Sequence, residues 1–210
     1  MLTVHHLGVS QSERIVWLCE ELGIPYVLKL YDRVPPGRGL GPPEYKALHP
    51  LGTAPIITDG EVTLPESGAI MQYIMGRYGD GGLAPKPEDP DFADYLFWLH
   101  FANASMLPAI SGAPREGAEE GPFTDYLRAR AARPWALIEA RLGEVPYFAG
   151  DRFTAADIMM GFNLTTMRAF APKDLSPFPN ILAWLQRIGA RPAYQRAMAK
   201  GDPGMTPMLT

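Results

Sequence analysis

Two short stretches of the chain put hydroxyl groups where they can do chemistry. Ser10-Gln11-Ser12-Glu13 stands at the expected start of a helix and matches a capping box, in which a serine satisfies helix amides and an acidic residue three positions on reaches back. The same hydroxyls, Ser10 and Ser12, are also placed to donate to an anion at the positive end of that helix. Glu66-Ser67 opens a second helix. Its serine either caps that helix or joins the backbone amide in holding a carboxylate, and the Glu66 carboxylate suits an ammonium group. Thr154 and Asp157 form a third pattern of this kind, with Phe153 and Ile158 at the positions of a hydrophobic staple. That one reads as a structural cap.

Other chemistries lack the residues they need. Cys19 is the only cysteine, which excludes an internal disulfide and a Cys-x-x-Cys redox pair. His5 and His6 alternate along a strand and cannot both face one metal. No zinc-ligand spacing, Gly-x-Ser-x-Gly elbow or P-loop occurs in the sequence, so no metal is expected.

The elements that must carry these groups follow from periodicity and turn residues. Leu2 to His6 reads as a strand and Gln11 to Leu22 as a helix, ended by Gly23 as a left-handed cap. Tyr26 to Leu30 is a second strand, and the Pro-, Gly- and Arg-rich residues 32–43 read as a long loop. Ala54 to Thr58 and Val62 to Leu64 are strands joined at Asp59-Gly60, and a helix runs from Ser67 to about Tyr78.

Glycines and prolines in residues 79–90 prevent either periodic structure from continuing. The expected division is therefore an α/β unit over 1–79, a linker over 80–90 and an all-helical unit over 91–210. Phe92, Tyr95, Leu96 and Leu99 share one face of a long helix. Further helices are expected from Phe123 to Leu142 with a kink near Pro134, from Thr154, and from Pro179 to Ile188.

With 210 residues and 47% apolar content the chain can bury a real core. A net charge of −4 and the lack of a basic stripe argue against a nucleic-acid partner. No apolar run approaches the roughly 18–20 residues that span a bilayer, and the first residues do not form a signal peptide. A cytoplasmic protein without a membrane partner is expected.

This order of elements resembles a thioredoxin-like domain followed by a helical bundle, the arrangement of the cytosolic glutathione S-transferase family. Four motifs carry the resemblance: His5 to Arg14 with a serine four residues before an arginine, His49-Pro50-Leu51-Gly52-Thr53-Ala54-Pro55-Ile56, Glu66-Ser67-Gly68-Ala69-Ile70, and the Thr154–Asp157 cap with the tail from Phe178 to Tyr194. The chain is similar to bacterial serine-type members.

The resemblance implies a glutathione transferase. Glutathione would be the co-substrate, a small hydrophobic electrophile the second substrate, and a second copy of the chain the partner in a homodimer. Ser10, or else Ser12, would donate to the glutathione sulfur. A hydrogen bond to a charged group is worth about 1.5–3 kcal/mol and a helix N-terminus roughly 0.3–1 kcal/mol. Together they would lower a thiol pKa by about one to three units, enough for the thiolate to dominate near neutrality.

The resemblance also implies that Glu66 and Ser67 hold the γ-glutamyl end. A cis Pro55 would open the Ala54 backbone to the peptide of glutathione. Family members often carry Lys, Gln or His in the place of Thr53, so the glycyl carboxylate would look to Arg33 or Arg38. Phe97, His100, Phe101, Asn103 and Met106 are the expected wall of the electrophile pocket, and Asn103 stands where related sequences often have an acid. A glutathione-dependent peroxidase or disulfide reductase on the same site, and a non-catalytic binding or regulatory protein, are the alternatives.

Overall fold

The computed structural model describes residues 1–36, 39–114 and 117–210. Strand β1 (Thr3–Leu7) is buried along four of its five residues because it lies inside the sheet, with β2 (Val27–Tyr31) parallel on one side and β3 (Ile56–Asp59) antiparallel on the other. Strand β4 (Val62–Pro65) closes a hairpin with β3, giving the order β2-β1-β3-β4. Gly60 takes a left-handed φ of 61° at the hairpin tip, as Asp-Gly turns require.

Helix α1 (Glu13–Leu22) crosses from β1 to β2 and buries Ile15, Val16, Leu18 and Cys19. Gly23 ends it at φ 61°, its amide bonded to the Cys19 carbonyl. The helix begins two residues later than periodicity suggests, because Gly8 to Ser12 are used in a turn. A short α2 (Pro43–Lys46) follows the irregular region, with proline at its first position where the missing N–H costs nothing. Helix α3 (Ser67–Tyr78) completes this α/β half, which has the mixed sheet expected of a thioredoxin-like domain.

Beyond it the described residues are helical. Helix α4 (Phe92–Phe101) passes through one π-helical turn (Ala102–Met106) into α5 (Leu107–Ser111). Helix α6 (Pro122–Glu144) continues through Pro134. Helix α7 (Ala155–Leu164) is buried along its whole length, and a 3₁₀ turn (Thr166–Ala169) follows it. Helices α8 (Pro179–Gly189) and α9 (Pro192–Gly201) close the chain, each with proline in its first turn. No described helix is long and apolar enough to cross a membrane.

The Thr154 amide donates to Asp157 Oδ2 at 2.9 Å and closes the capping box at the start of α7. Asp157 also accepts from the Trp184 indole at 3.0 Å and the Phe148 amide at 3.1 Å, so the cap ties α7 to α8. Burial nevertheless pushes its carboxyl up to about 6.

One core joins the halves, with α1 as the shared wall. Trp17 packs against Phe153 and Tyr194, and its ring fills the space beside Gly161, where a Cβ would come within 2.7 Å of it. Ion pairs from Glu21 to Arg191 and from Glu20 to Arg196 and Lys200 line the edge of this contact. The start of α1 is thereby fixed between the sheet and the bundle.

Candidate functional site

The turn between β1 and α1 is clamped from two directions. Val9 has a left-handed φ of 51°, an unfavourable conformation for a β-branched residue. Its amide donates to Asp202 Oδ1 at 2.7 Å, and its carbonyl accepts from Arg33 at 2.8 Å. Two further N–H groups of Arg33 donate to the carbonyls of Gly8 and Gly39. A residue just after α9 and another beyond β2 thus hold Val9 and so aim Ser10.

Ser10 and Ser12 lie side by side with different surroundings. Their hydroxyl oxygens are 2.7 Å apart. Ser12 is fully buried, accepting from the Leu7 amide at 3.2 Å and facing His6 Nδ1 at 2.9 Å, and makes no side-chain cap of α1. Ser10 lines an open cleft of about 380 Å³, within the range of small-molecule sites. Of the two, Ser10 is the hydroxyl a ligand in that cleft would meet.

Arg14 links the groups around the cleft. Its guanidinium is fully buried and donates to Gln11 Oε1 at 2.6 Å, Asn103 Oδ1 at 2.9 Å, Ser67 Oγ at 3.4 Å and Asn163 Oδ1 at 3.2 Å. It also lies over the Phe162 ring, 5.2 Å from the centroid. Burial pulls its pKa down to about 9, opposed by Glu13, which still leaves a cation at neutrality. Burial pushes the neighbouring Glu13 up to about 8, despite hydrogen bonds from Thr166 and Thr165. Glu13 is therefore largely a neutral acid.

Ser67 is buried at the first position of α3, and Glu66 before it is exposed with a φ of 75°. The Glu66 carboxylate makes no hydrogen bond among the described residues, so it is open to a ligand cation. The Ala54–Pro55 bond is cis, and Thr53 and Ala54 line the cleft beside Gly52. Gly52 has a φ of 60°, a left-handed conformation that favours glycine there.

Among the described residues, the cation that lines the cleft without a hydrogen bond or ion pair is Lys46 of α2. Arg33 also lines it, but with its donors on backbone carbonyls. Arg38 lies outside the described residues.

The bundle side of the cleft is formed by Phe162 and Phe170. Met106 is fully buried in the core, because the π-helical turn rotates it inward. Asn103 is half-buried on Arg14, His100 is exposed on α4, and Phe97 is half-exposed against Trp98 and Phe101. Phe101 lines a separate groove with Pro108, Pro134 and Leu137. Of these five, Asn103 alone is tied to the cleft, through Arg14.

Sequence reasoning passes over Gln11, Lys46, Phe162 and Phe170. A proline-opened turn at Pro43 was the available signal for Lys46. Phe162 sits on a helix buried all round and carries none. The described residues contain no cluster of His, Cys, Asp or Glu able to hold a metal. His5 bonds Tyr31 and Thr58, and Cys19 is buried in the core with its thiol pushed up to about 12.

A mixed four-stranded sheet, a cis-proline loop and a serine at the first helix turn, joined to a helical bundle, define a class to which known proteins can be compared. The glutathione S-transferase N-terminal domain matches residues 5–85 and the C-terminal domain matches residues 97–192. Glutathione S-transferase 3 of Schizosaccharomyces pombe is 35% identical, over 95% of this chain and 88% of its own. A glutathione S-transferase from Actinobacillus pleuropneumoniae superposes with a TM-score of 0.86 at 33% identity, covering 96% of this chain and 93% of the other. A theta class enzyme from Xanthomonas axonopodis pv. citri, solved with glutathione bound, has a TM-score of 0.69 at 26% identity, covering 93% of this chain and 96% of the other. The chain belongs to the glutathione S-transferase family.

Proposed function

We propose that this protein is a serine-type glutathione transferase that holds glutathione in the cleft at the start of α1 and attacks small electrophiles with its sulfur. The observation that carries this reading is the position of Ser10, which lines the cleft together with Ala54 while Ser12 is enclosed. Ser67 and the α3 N-terminus suit the γ-glutamyl carboxylate, and the free Glu66 carboxylate suits its ammonium. Lys46, next to Gly52 and Thr53, suits the glycyl carboxylate.

The thiolate is the reactive species, and it gains from a donor hydroxyl and from the positive end of α1. Phe162 and Phe170 offer an apolar wall on which an electrophile rests within reach of the sulfur. The carbon–sulfur bond forms as the leaving group departs. Cys19 is buried, so disulfide or peroxide chemistry here would depend on the same bound thiolate.

A homodimer accompanies this reading. The groove of about 440 Å³ lined by Phe101, Pro108 and Leu137, with Arg130 and Arg133 at its side, offers a second copy an apolar surface. Light scattering behind size exclusion tests it.

The test of the function is calorimetric titration with glutathione, followed by turnover of an aryl halide. Ser10→Ala is expected to keep the affinity and lose roughly ten- to hundredfold in turnover, the value of one hydrogen bond to a charged group. No binding of glutathione would overturn the proposal. Full activity in Ser10→Ala would overturn the role of Ser10.

A further inference from the structure

Behind Ser10 the hydroxyls continue into an unbroken chain of hydrogen bonds. Ser10 Oγ lies 2.7 Å from Ser12 Oγ, Ser12 Oγ lies 2.9 Å from His6 Nδ1, and His6 Nε2 lies 3.2 Å from Asp202 Oδ2. Ser12 and His6 have no exposed surface, and Asp202 is 7% exposed. The four residues come from β1, the turn before α1 and the residue after α9. A cap or a packing contact needs only one of these bonds. Together they connect the cleft to a buried imidazole–carboxylate pair.

With the His6 ring neutral, counting protons gives the direction of each bond. Asp202 accepts the Val9 amide at Oδ1, and the pull of the His6 bond and of Arg33 outweighs burial and holds its carboxyl below the usual range. An ionised Asp202 accepts at Oδ2, so His6 carries its proton on Nε2. In the neutral ring Nδ1 is then an acceptor, and Ser12 donates to it. The alternative acceptor for Ser12, the Leu7 carbonyl at 3.4 Å, would spend the same single proton. Either way Ser12 has nothing left to give, so Ser10 donates inward to Ser12. In this state the Ser10 proton points away from the cleft.

A thiol arriving at Ser10 reverses the chain. The S–H bond breaks and its proton bonds to Ser10 Oγ, the Ser10 proton passes to Ser12 Oγ, and the Ser12 proton passes to His6 Nδ1. One proton has moved from sulfur to imidazole and nothing is oxidised or reduced. The imidazolium donates to Ser12 and to Asp202, Ser12 donates to Ser10, and Ser10 now donates to the thiolate. Only when His6 holds the proton does the Ser10 hydroxyl face the sulfur.

We propose that His6 is the acceptor of the glutathione thiol proton, reached through Ser12 and Ser10, and that Asp202 is the positioning residue that fixes its tautomer. The proposal rests on the reading that the sulfur lies at Ser10. It adds a base to a site whose hydroxyl alone would only stabilise an anion formed by loss of a proton to water. The other titratable groups around the pair are Arg33 beside Asp202, Asp32 on the hollow of about 510 Å³ that borders His6 and Asp202, and the largely neutral Glu13 on α1. Tyr31 of β2 also borders that hollow. None of them lies between His6 and Ser12. After turnover the proton leaves by the same hydroxyls or by way of Asp202 and the hollow.

The decisive experiment uses the unaltered protein. Glutathione is titrated at neutral pH in buffers of different ionisation enthalpy to count protons released, and the thiolate formed is read from ultraviolet difference absorbance. The expected result is thiolate formation with almost no proton released, since His6 keeps it. One proton released per thiolate overturns the proposal.

Two variants give the second reading. His6→Asn leaves an acceptor for Ser12 but takes up no proton, and Asp202→Asn turns an N–H toward Nε2 and so forces the proton onto Nδ1. Each is expected to bind glutathione with unchanged affinity and to lose turnover roughly ten- to thirty-fold at neutral pH, because a free thiol is only a few per cent ionised there. Raising the pH should restore turnover in His6→Asn. Thiolate retained in His6→Asn but lost in Ser10→Ala would sink the relay and leave Ser10 in place. Thiolate retained in Ser10→Ala would sink the underlying reading instead. Should either variant fail to fold, the proton count on the unaltered protein decides alone.

Discussion

The Asp202 carboxylate holds the Val9 amide at 2.7 Å, although the two residues stand at opposite ends of the chain. Val9 keeps its left-handed φ of 51° because this bond and the Arg33 clamp over-determine it. A strained turn next to Ser10 is therefore maintained by the residue that follows the last helix of the bundle. Val9→Gly should remove the steric cost, and about 0.5–1 kcal/mol of added chain entropy offsets that gain. Denaturant unfolding is expected to give a stability within about 1 kcal/mol of the parent or above it. A loss larger than that would mean the Val9 side chain, not its backbone, stabilises the turn.

Arg14 makes the converse prediction. Four acceptors, in the turn before α1, on α3, on α7 and on the π-helical turn, depend on its guanidinium. Arg14→Met leaves Gln11, Asn103 and Asn163 without their donor in a buried setting, and unfolding should show a loss of about 3 kcal/mol or more. Asn103→Ala removes one partner only, costing about 1.5–3 kcal/mol. A weakened glutathione KM should accompany both.

Lys46 and Arg33 border the same cleft and should separate cleanly. Lys46→Ala is expected to raise the glutathione KM up to roughly fivefold with an unchanged melting temperature, the effect of one exposed ion pair. Arg33→Ala loses three hydrogen bonds to backbone carbonyls and should cost about 1–3 kcal/mol of stability. The reverse pattern would place the glycyl carboxylate on Arg33.

Glu13 gives a pH signature. Its carboxyl is raised from 4.5 unfolded to about 8 folded, so the folded state binds the extra proton. The associated stability is complete below the unfolded value and is lost as pH rises through about 8. Asp157, raised from 3.8 to about 6, loses its share earlier. Between these two upper limits the decline belongs mainly to Glu13. Glu13→Gln should flatten it by on the order of 1–2 kcal/mol in denaturant titrations across that range.

Much of the fold was legible because its signals are local. Gly23, Asp59-Gly60 and the Thr154–Asp157 box mark ends and starts within a few residues of where they act. Helix α9 escaped because few of its residues are strongly apolar, although Ala193, Tyr194, Ala197 and Met198 recur at helical spacing and Pro192 opens it as Pro179 opens α8. The choice between Ser10 and Ser12 was illegible for a different reason. Two hydroxyls two residues apart are chemically alike, and what separates them is His6, Leu7 and Asp202, which only the folded chain assembles. The expected apolar wall around Phe97, Phe101 and Met106 came from the resemblance, not from any local signal. A π-helical turn at Ala102–Met106 follows α4, and Phe162 and Phe170 line the cleft beside Ser10.

A crystal structure of the protein with glutathione bound tests the central claim most directly. The sulfur is predicted within about 3.0–3.5 Å of Ser10 Oγ, with the γ-glutamyl carboxylate on Ser67 and the ammonium on Glu66. A sulfur held by another group, or pointing away from the start of α1, would contradict it.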